Sequence, residues 1–125
     1  MKNKLNDEFE SIFNSLKKIL KKYQKHLTVT SDKTDTYNLN AGYSEKFKRD
    51  IYFGGVQINK NYVSFYLMPV YINPKLLTGI SIQLKKRMQG KSCFNFKEVD
   101  SILFKELSEL TKKGFDFYKR NGYLN

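Results

Sequence analysis

The sequence has little of the chemistry that cross-links small proteins. Its 125 residues include one cysteine, Cys93, one histidine, His26, and no tryptophan. One cysteine excludes an intramolecular disulfide, and this pair of residues cannot supply the four ligands of a structural zinc site. The fold must therefore be held by its core, and the lack of a disulfide framework favours a reducing, cytoplasmic setting.

Long apolar runs are also missing. Residues 1–10 are mostly polar and do not contain the apolar stretch of a signal peptide. The longest nearly apolar stretch, residues 65–72, is far shorter than the roughly 20 residues that a membrane-spanning helix needs. We therefore expect a protein that is neither exported nor inserted in a membrane.

The apolar content is nevertheless that of a folded protein. Hydrophobic residues make up 40% of the chain and aromatic residues 15%, which is enough apolar surface to offset the entropy of ordering the backbone. A chain of 125 residues has the usual length of one domain. We expect residues 1–125 to form a single domain without repeats or linkers.

Positive charge is in excess and unevenly placed. The net charge is +11, and residues 74–97 carry six basic residues and no acidic residue. Residues 1–25 carry seven basic against three acidic residues, whereas the remaining segments are nearly balanced. Such a field attracts anions, whether nucleic acid, acidic protein or phosphorylated metabolite. A lysine-rich composition that serves only solubility would explain the same charge.

Apolar residues at steps of three and four predict an amphipathic helix over residues 5–23. This stripe consists of Leu5, Phe9, Ile12, Phe13, Leu16, Ile19, Leu20 and Tyr23.

The next segments have the composition of strands. Residues 27–43 alternate β-branched or aromatic with polar residues, which predicts one or two strands. Residues 50–72 contain two β-rich runs separated by Asn-Lys-Asn, which predicts a hairpin. Pro69 should end the second run or mark an edge, and Pro74 should begin a short helical turn.

Residues 82–89 should form a short helix, with Ser81 as N-cap and Gly90 as its left-handed C-terminal cap. Residues 92–96 then alternate, which predicts a strand with Phe94 and Phe96 on one face.

A helix closes the chain, with Asp100 near its start and Asn121-Gly122 at its end. Its inward residues should be Val99, Ile102, Leu103, Leu107, Leu110 and Phe117. The order of elements predicts an α+β fold, a two-layer domain in which an antiparallel sheet packs against N-terminal and C-terminal helices. A short helix should precede the last strand.

Two motifs within residues 90–93 suggest chemistry. Gly-Lys-Ser at 90–92 lacks the upstream glycine of a phosphate-binding loop, and it follows a helix and precedes a strand, the reverse of that motif. Cys93 would be a nucleophilic thiolate if the neighbouring cations approached it. The alternative is a structural cysteine on the sheet's second face or under a helix.

Aromatic residues suggest a binding surface. The segment YFGGVQI at 52–58 is similar to an RNA-binding strand motif, but Gly55 stands where a stacking ring is required. Its glycines would otherwise permit a bulge or close helix packing. Tyr62, Tyr66 and Tyr71 could line an aromatic surface for single-stranded nucleic acid, or be ordinary tyrosines at a sheet margin.

The run from YVSFYLMPVYINPKLL to LKKRMQGKSCFNFK, within residues 61–97, followed by a long helix, resembles the YdhG-like group of small bacterial domains of unknown function. The resemblance covers residues 20–120 by element order and implies a compact α+β fold. Some relatives in that group are described as frataxin-like iron chaperones, which bind iron through an acidic ridge. The acids that the first helix offers for such a ridge are Asp7, Glu8 and Glu10.

No spaced pair of carboxylates has surroundings that would shift its pKa for acid-base catalysis. We therefore expect a non-enzymatic module without cofactor or metal, monomeric or homodimeric, that binds an anionic partner such as nucleic acid or an acidic protein. A frataxin-like iron chaperone is the alternative. The expected ligand-binding residues are Lys85, Lys86, Arg87, Lys91 and Lys97, with Tyr62 and Tyr66 beside them.

Overall fold

The fold is a five-stranded antiparallel sheet with helices on one face, as seen in a computed structural model that describes residues 4–124 and the side chains of residues 7–124. The strands pair in sequence order, β1-β2-β3-β4-β5. The predicted α+β class is therefore confirmed. The elements are α1 (Lys4–Lys21), β1 (Thr28–Asp32), β2 (Thr36–Ser44), β3 (Arg49–Ile58), β4 (Val63–Leu67), α2 (Met68–Ile72), α3 (Ile82–Lys85), β5 (Cys93–Phe96) and α4 (Ser101–Arg120), with 3-10 turns at Gln24–His26 and Pro74–Leu77.

The first helix packs its predicted stripe against the sheet. Leu16 and Leu20 are fully buried, and Leu20 lies over β3, where the methyl group of an alanine at Gly54 would come 3.2 Å from Leu20 Cδ2 and 2.7 Å from the carbonyl oxygen of Tyr66. Gly54 therefore permits the close approach of helix and strand. Leu5 lies outside the described side chains, and Tyr23 follows the end of the helix, half-buried.

An aromatic cluster joins the two long helices to the sheet. The ring of Phe53 on β3 contacts Tyr23, Phe115 and Tyr118, with centroids 5.5–6.1 Å apart. The hydroxyl of Tyr118 donates a 2.7 Å hydrogen bond to the carbonyl oxygen of Tyr52. The cluster thus satisfies its buried polar atom while it fills the space between the layers.

The C-terminal helix begins and ends as predicted, but its buried face differs. Asp100 is the N-cap, with its carboxylate accepting a 3.0 Å hydrogen bond from the Leu103 amide, and Asn121 is the C-cap. Val99 precedes the cap and is 49% exposed, and Ile102 is 80% exposed, so both predicted inward positions are wrong. Ile102 lies one and two turns from Glu106 and Glu109, on the polar side of the helix. The buried face consists of Leu103, Phe104, Leu107, Leu110, Thr111, Gly114, Phe115 and Tyr118, while Phe117 is half-buried.

The second run of the predicted hairpin ends just before Pro69. β4 stops at Leu67, and residues 68–72 form α2 instead of continuing as a strand. Pro69 occupies the first turn of α2, where its missing amide proton costs nothing, so the prediction that it ends the run is confirmed. Pro74 begins a 3-10 turn, also as predicted.

Within the basic residues 74–97, a helix of one turn is followed by an extended segment at the edge of the sheet. Ser81 caps α3 as predicted, but the helix ends at Lys85 rather than near Gln89. Residues 87–89, called here the edge segment, pair with β5: the Asn95 amide donates to the carbonyl of Arg87 at 2.8 Å, and the Gln89 amide to that of Cys93 at 2.9 Å. Gly90, with φ of 79°, therefore turns the chain between the edge segment and β5 instead of capping a helix.

At the other end of the sheet, β1 is an edge strand and is irregular. The register of its pairing with β2 shifts between Val29 and Ser31, which marks a bulge.

None of the helices among the described residues is long and apolar enough to cross a membrane. The cytoplasmic location stays a prediction.

Loss of the Ser81 hydroxyl should destabilise the protein, because this hydroxyl caps α3 and joins it to α4. The hydroxyl accepts from the Leu84 amide at 3.0 Å and donates to the Glu106 carboxylate on α4 at 2.6 Å. We expect Ser81→Ala to lower the free energy of unfolding by about 1–2 kcal/mol, measured by urea titration, because both a cap and a charge-assisted hydrogen bond are lost. Ser11→Ala, at an exposed site within α1, should be neutral or slightly stabilising. Equal stability of the two variants would contradict this role of Ser81.

Candidate functional site

One face of the sheet is not covered by any helix within residues 4–124. α1 and α4 contact each other, and α2 and α3 contact α4, so these helices share one side. Strand alternation places fully buried Val56, Phe65 and Phe94 in one row on that side. The adjacent row, on the opposite side, is Asn38, Gly55, Tyr66 and Cys93. The side opposite the helices is called the open face.

Amide and hydroxyl side chains form a continuous network on the open face. Ser64 Oγ donates to Asn95 Oδ1 at 2.6 Å and accepts from Asn59 Nδ2 at 2.9 Å. Asn95 Nδ2 donates to Gln89 Oε1 at 2.7 Å, and Gln57 Nε2 donates to Asn59 Oδ1 at 3.1 Å. The network runs from β3 to the edge segment, and it fixes which end of each amide points to solvent.

Gly55 makes room for a second polar contact on this face. The hydroxyl of Tyr52 donates a 2.6 Å hydrogen bond to Asn38 Oδ1, and both atoms lie where a β-carbon on Gly55 would have to be. Burial, and next the nearby Tyr66 and Cys93, raise the pKa of Tyr52. The two glycines of YFGGVQI therefore have separate roles, since Gly54 admits α1 and Gly55 admits Tyr52.

Cys93 lies on the open face, where it is half-buried. Its Sγ is 3.3 Å from Asn95 Oδ1, to which it donates. Burial raises its pKa, against the lowering effect of hydrogen bonds from Ser64 and Tyr66. The condition for a nucleophilic thiolate, a pKa depressed by cations, is therefore not met, and the structural alternative is favoured.

At one corner of the open face, basic and aromatic side chains surround a depression of about 300 Å³. Tyr62 precedes β4 and Lys97 follows β5, each in phase with the outward residues of its strand. Lys86, directly after α3, and Arg87, in the edge segment, also line this depression. Four of the predicted binding residues thus come together, and they are called the basic site: Tyr62, Lys86, Arg87 and Lys97.

The other predicted binding residues lie elsewhere. Lys85 is exposed at the end of α3 and does not line the depression. Lys91 lies over the ring of Tyr71, with its Nζ 5.9 Å from the centroid. Tyr66 is half-buried in the central row beside Cys93. Tyr71 lies on α2 rather than on a strand, is 54% exposed, and does not line the depression that Tyr62 lines.

Two further depressions flank Tyr71, and their walls are mainly apolar. One, of about 330 Å³, lies between the start of β3 and α2 and includes Ile51, Met68 and Ile72. The other, of about 560 Å³, lies between α2 and Gly90 and includes Leu77 and Met88. The first includes one cation, Arg49, beside Asp50, and the second includes one cation, Lys91. Neither therefore offers the converging cations of the basic site.

The acids that the family resemblance points to lie in the first part of α1. Asp7 and Glu8 are exposed in α1, and Glu10 is half-buried. Among the described residues, no group of three or more His, Cys, Asp and Glu side chains is placed to hold a metal ion. No observation on these residues therefore favours the iron-chaperone alternative.

Sequence reasoning missed the polar residues that build the open face. Asn59, Ser64, Gln89 and Asn95 have ordinary surface chemistry, and only their pairing across strands makes them one network. The alternation of residues 92–96 contained a partial signal, because it places Asn95 on the face opposite Phe94 and Phe96.

Comparison of the chain with protein-family models, with curated proteins and with solved structures found no match in any of the three. The resemblance to the YdhG-like group therefore stays a prediction.

Cys93 should react slowly with thiol reagents in the folded protein. Its thiol is half-buried and hydrogen-bonded to Asn95, and burial raises its pKa. Little thiolate is therefore available at pH 7. We expect labelling by a disulfide reagent to be at least about tenfold slower than in protein unfolded by urea, because the thiolate is the reacting form. Asn95→Ala, which removes the acceptor, is a useful comparison. Equal rates in the folded and unfolded protein would contradict a structural thiol.

Stability should fall at alkaline pH. Burial raises the pKa of Cys93, Tyr52 and Tyr118 above the usual 9.0 of the thiol and 10.0 of the phenol. At pH 7, well below these values, all three groups are protonated in both states, so their contribution is fully present. As the pH rises further, the unfolded chain loses these protons first, and the free energy of unfolding falls. Urea titrations at pH 7 and about pH 10 should show a smaller fall for Cys93→Ser and Tyr52→Phe than for the wild type.

Proposed function

We propose that the protein is a non-enzymatic binding domain whose basic site holds an anionic ligand. The observation that carries the proposal is the convergence of Lys86, Arg87 and Lys97 on one depression beside Tyr62. The residues that line this depression include no acid.

The three cations are available to a ligand. None of them forms an ion pair or a side-chain hydrogen bond with another residue within the described part of the chain, and all three are exposed. Like charges that approach one another without a counter-charge repel, and an anion bound between them removes that repulsion. Arg87 adds geometric selectivity, because a guanidinium can donate two parallel hydrogen bonds to a phosphate or carboxylate.

The arrangement also argues against charge that serves only solubility. Solubility requires charges that are spread and solvated, as on α4, where Lys105, Lys113 and Lys119 are exposed and acids lie nearby along the helix. The basic site instead gathers cations around a concave surface that the hydrogen-bonded amide of Asn95 also lines. Such a surface favours contact with a ligand rather than with bulk solvent.

Support for binding rather than catalysis comes from two titratable groups elsewhere on the open face. Tyr52 and Cys93 are both held in their protonated forms, whereas a general base or nucleophile needs a pKa near the working pH.

Charge reversal at the basic site should weaken binding without unfolding the protein. We expect Lys86→Glu, Arg87→Glu and Lys97→Glu together to weaken binding of a labelled oligonucleotide by at least about tenfold, since three phosphate contacts are replaced by repulsion. Fluorescence anisotropy at about 50 and about 200 mM salt should also show a salt slope reduced by about three. Thermal unfolding should be nearly unchanged, because all three side chains are exposed.

The control is Lys105→Glu, Lys113→Glu and Lys119→Glu, the same change in net charge on α4. This variant should keep most of the affinity, and Lys85→Glu should have a smaller effect than Lys86→Glu. If the two triple variants bind equally, binding follows net charge and the basic site has no special part in it.

A further inference from the structure

We propose that the ligand is a single strand of nucleic acid, laid across the open face with its phosphates on the basic site and its bases on Tyr62 and Tyr66. This inference rests on the proposed function and names the ligand class that the surroundings of the basic site favour. It goes beyond anion binding because it requires contacts to bases.

The first step concerns Tyr62, which lines the basic site together with Arg87 and Lys97. A base that stacks on this ring has its own phosphates within reach of cations on the neighbouring edge. Stacking on an aromatic ring beside a positive groove is how proteins hold single strands without selecting their sequence.

The second step concerns Tyr66, the next outward ring on β4. Tyr62 and Tyr66 are four residues apart on the same face, which places their backbones about 13 Å apart along the strand. Ser64 lies between them and is buried beneath the side-chain network. The two rings therefore stand on either side of a low polar floor, and each can accept a separate base.

The third step concerns the amides. Within the described residues, Gln89 Nε2 and Gln57 Oε1 have no hydrogen-bond partner, although the opposite end of each amide is held by the network. Gln89 Nε2 is therefore a fixed donor, and Gln57 Oε1 a fixed acceptor, at the surface of the open face. Groups of this kind match the edges of unpaired bases, which both donate and accept hydrogen bonds.

The shape excludes the usual way of reading a duplex. The major groove is read by a helix or two-stranded ribbon that enters it, whereas the cations here surround a depression in the sheet surface. A duplex could offer this site only its backbone. An acidic peptide would satisfy the cations but would leave both rings and the amides without complementary groups.

The probes are labelled thymidine and uridine oligomers of about twelve nucleotides, with three comparisons matched in charge: an abasic oligomer, a duplex and polyglutamate. Anisotropy at about 50 mM salt is measured for each with the wild-type protein. We expect the single strands to bind at least about tenfold tighter than the abasic oligomer, since only they can stack. The thymidine and uridine arms decide between DNA and RNA.

Variants then assign the rings. Tyr62→Ala and Tyr66→Ala should each weaken single-strand binding by about 5- to 150-fold and leave abasic binding unchanged, because stacking alone is lost. Tyr62→Phe and Tyr66→Phe should retain most of the affinity. Tyr71→Ala, at an exposed tyrosine on α2, is the matched control and should bind as the wild type does.

The outcomes separate the two proposals. If abasic, duplex and single-stranded probes bind equally and charge reversal removes all three, the single-strand inference is wrong and anion binding stands. Preference for polyglutamate would likewise overturn the inference in favour of an acidic protein. If no probe binds at the lower salt, both proposals fail. The comparison of probes on the wild-type protein gives this answer even if an alanine variant does not fold.

Discussion

The register of the five paired strands is the constraint on which both surfaces of this protein depend. Because side chains alternate along a strand, the pairing that buries Val56, Phe65 and Phe94 under the helices places Gly55, Tyr66 and Cys93 on the opposite side. A slip of one residue would exchange these rows. The core and the open face are therefore two results of one pairing, and the free energy that fixes the core also fixes the positions of the outward residues.

The edge segment connects this sheet to the positive charge of the chain. Backbone hydrogen bonds with β5 turn Arg87 and Gln89 toward the open face, and Ser81, held by Glu106, anchors the helix that precedes them. Asn95 donates to the edge segment twice, from its backbone N–H to the carbonyl of Arg87 and from its side-chain Nδ2 to Gln89 Oε1. Within the basic site, backbone hydrogen bonds hold Arg87 to β5 and Tyr62 to Asn59, which favours a defined position for the guanidinium and the ring. Lys86 and Lys97 directly follow α3 and β5.

Local patterns predicted most of the elements, but not α2, the short extent of α3 or the surfaces that form when the strands pair. The caps at Ser81 and Asp100 and the turn at Asn59–Asn61 depend on neighbouring residues only, and the structure confirms all three.

The errors arose where a distant partner decides the conformation. The edge segment continues a helical pattern in the sequence, yet β5 offers it backbone hydrogen bonds that a one-turn helix cannot match. Ile102 is apolar but faces away from the sheet, because the sheet meets the side of α4 that carries Leu103 and Leu107. Four of the expected binding residues converge on one depression: Tyr62, Lys86, Arg87 and Lys97. Lys85 and Lys91 are their neighbours in sequence but do not line this depression.

The bulge in β1 bears on how the protein behaves at high concentration. The edge segment covers the outer side of β5, so within the described residues β1 is the edge strand from which the sheet could be extended by another chain. A regular, apolar edge would invite such pairing and hence aggregation. β1 is short, mostly polar and interrupted between Val29 and Ser31, which denies an incoming strand a continuous row of partners. The sheet therefore resists growth from its β1 edge.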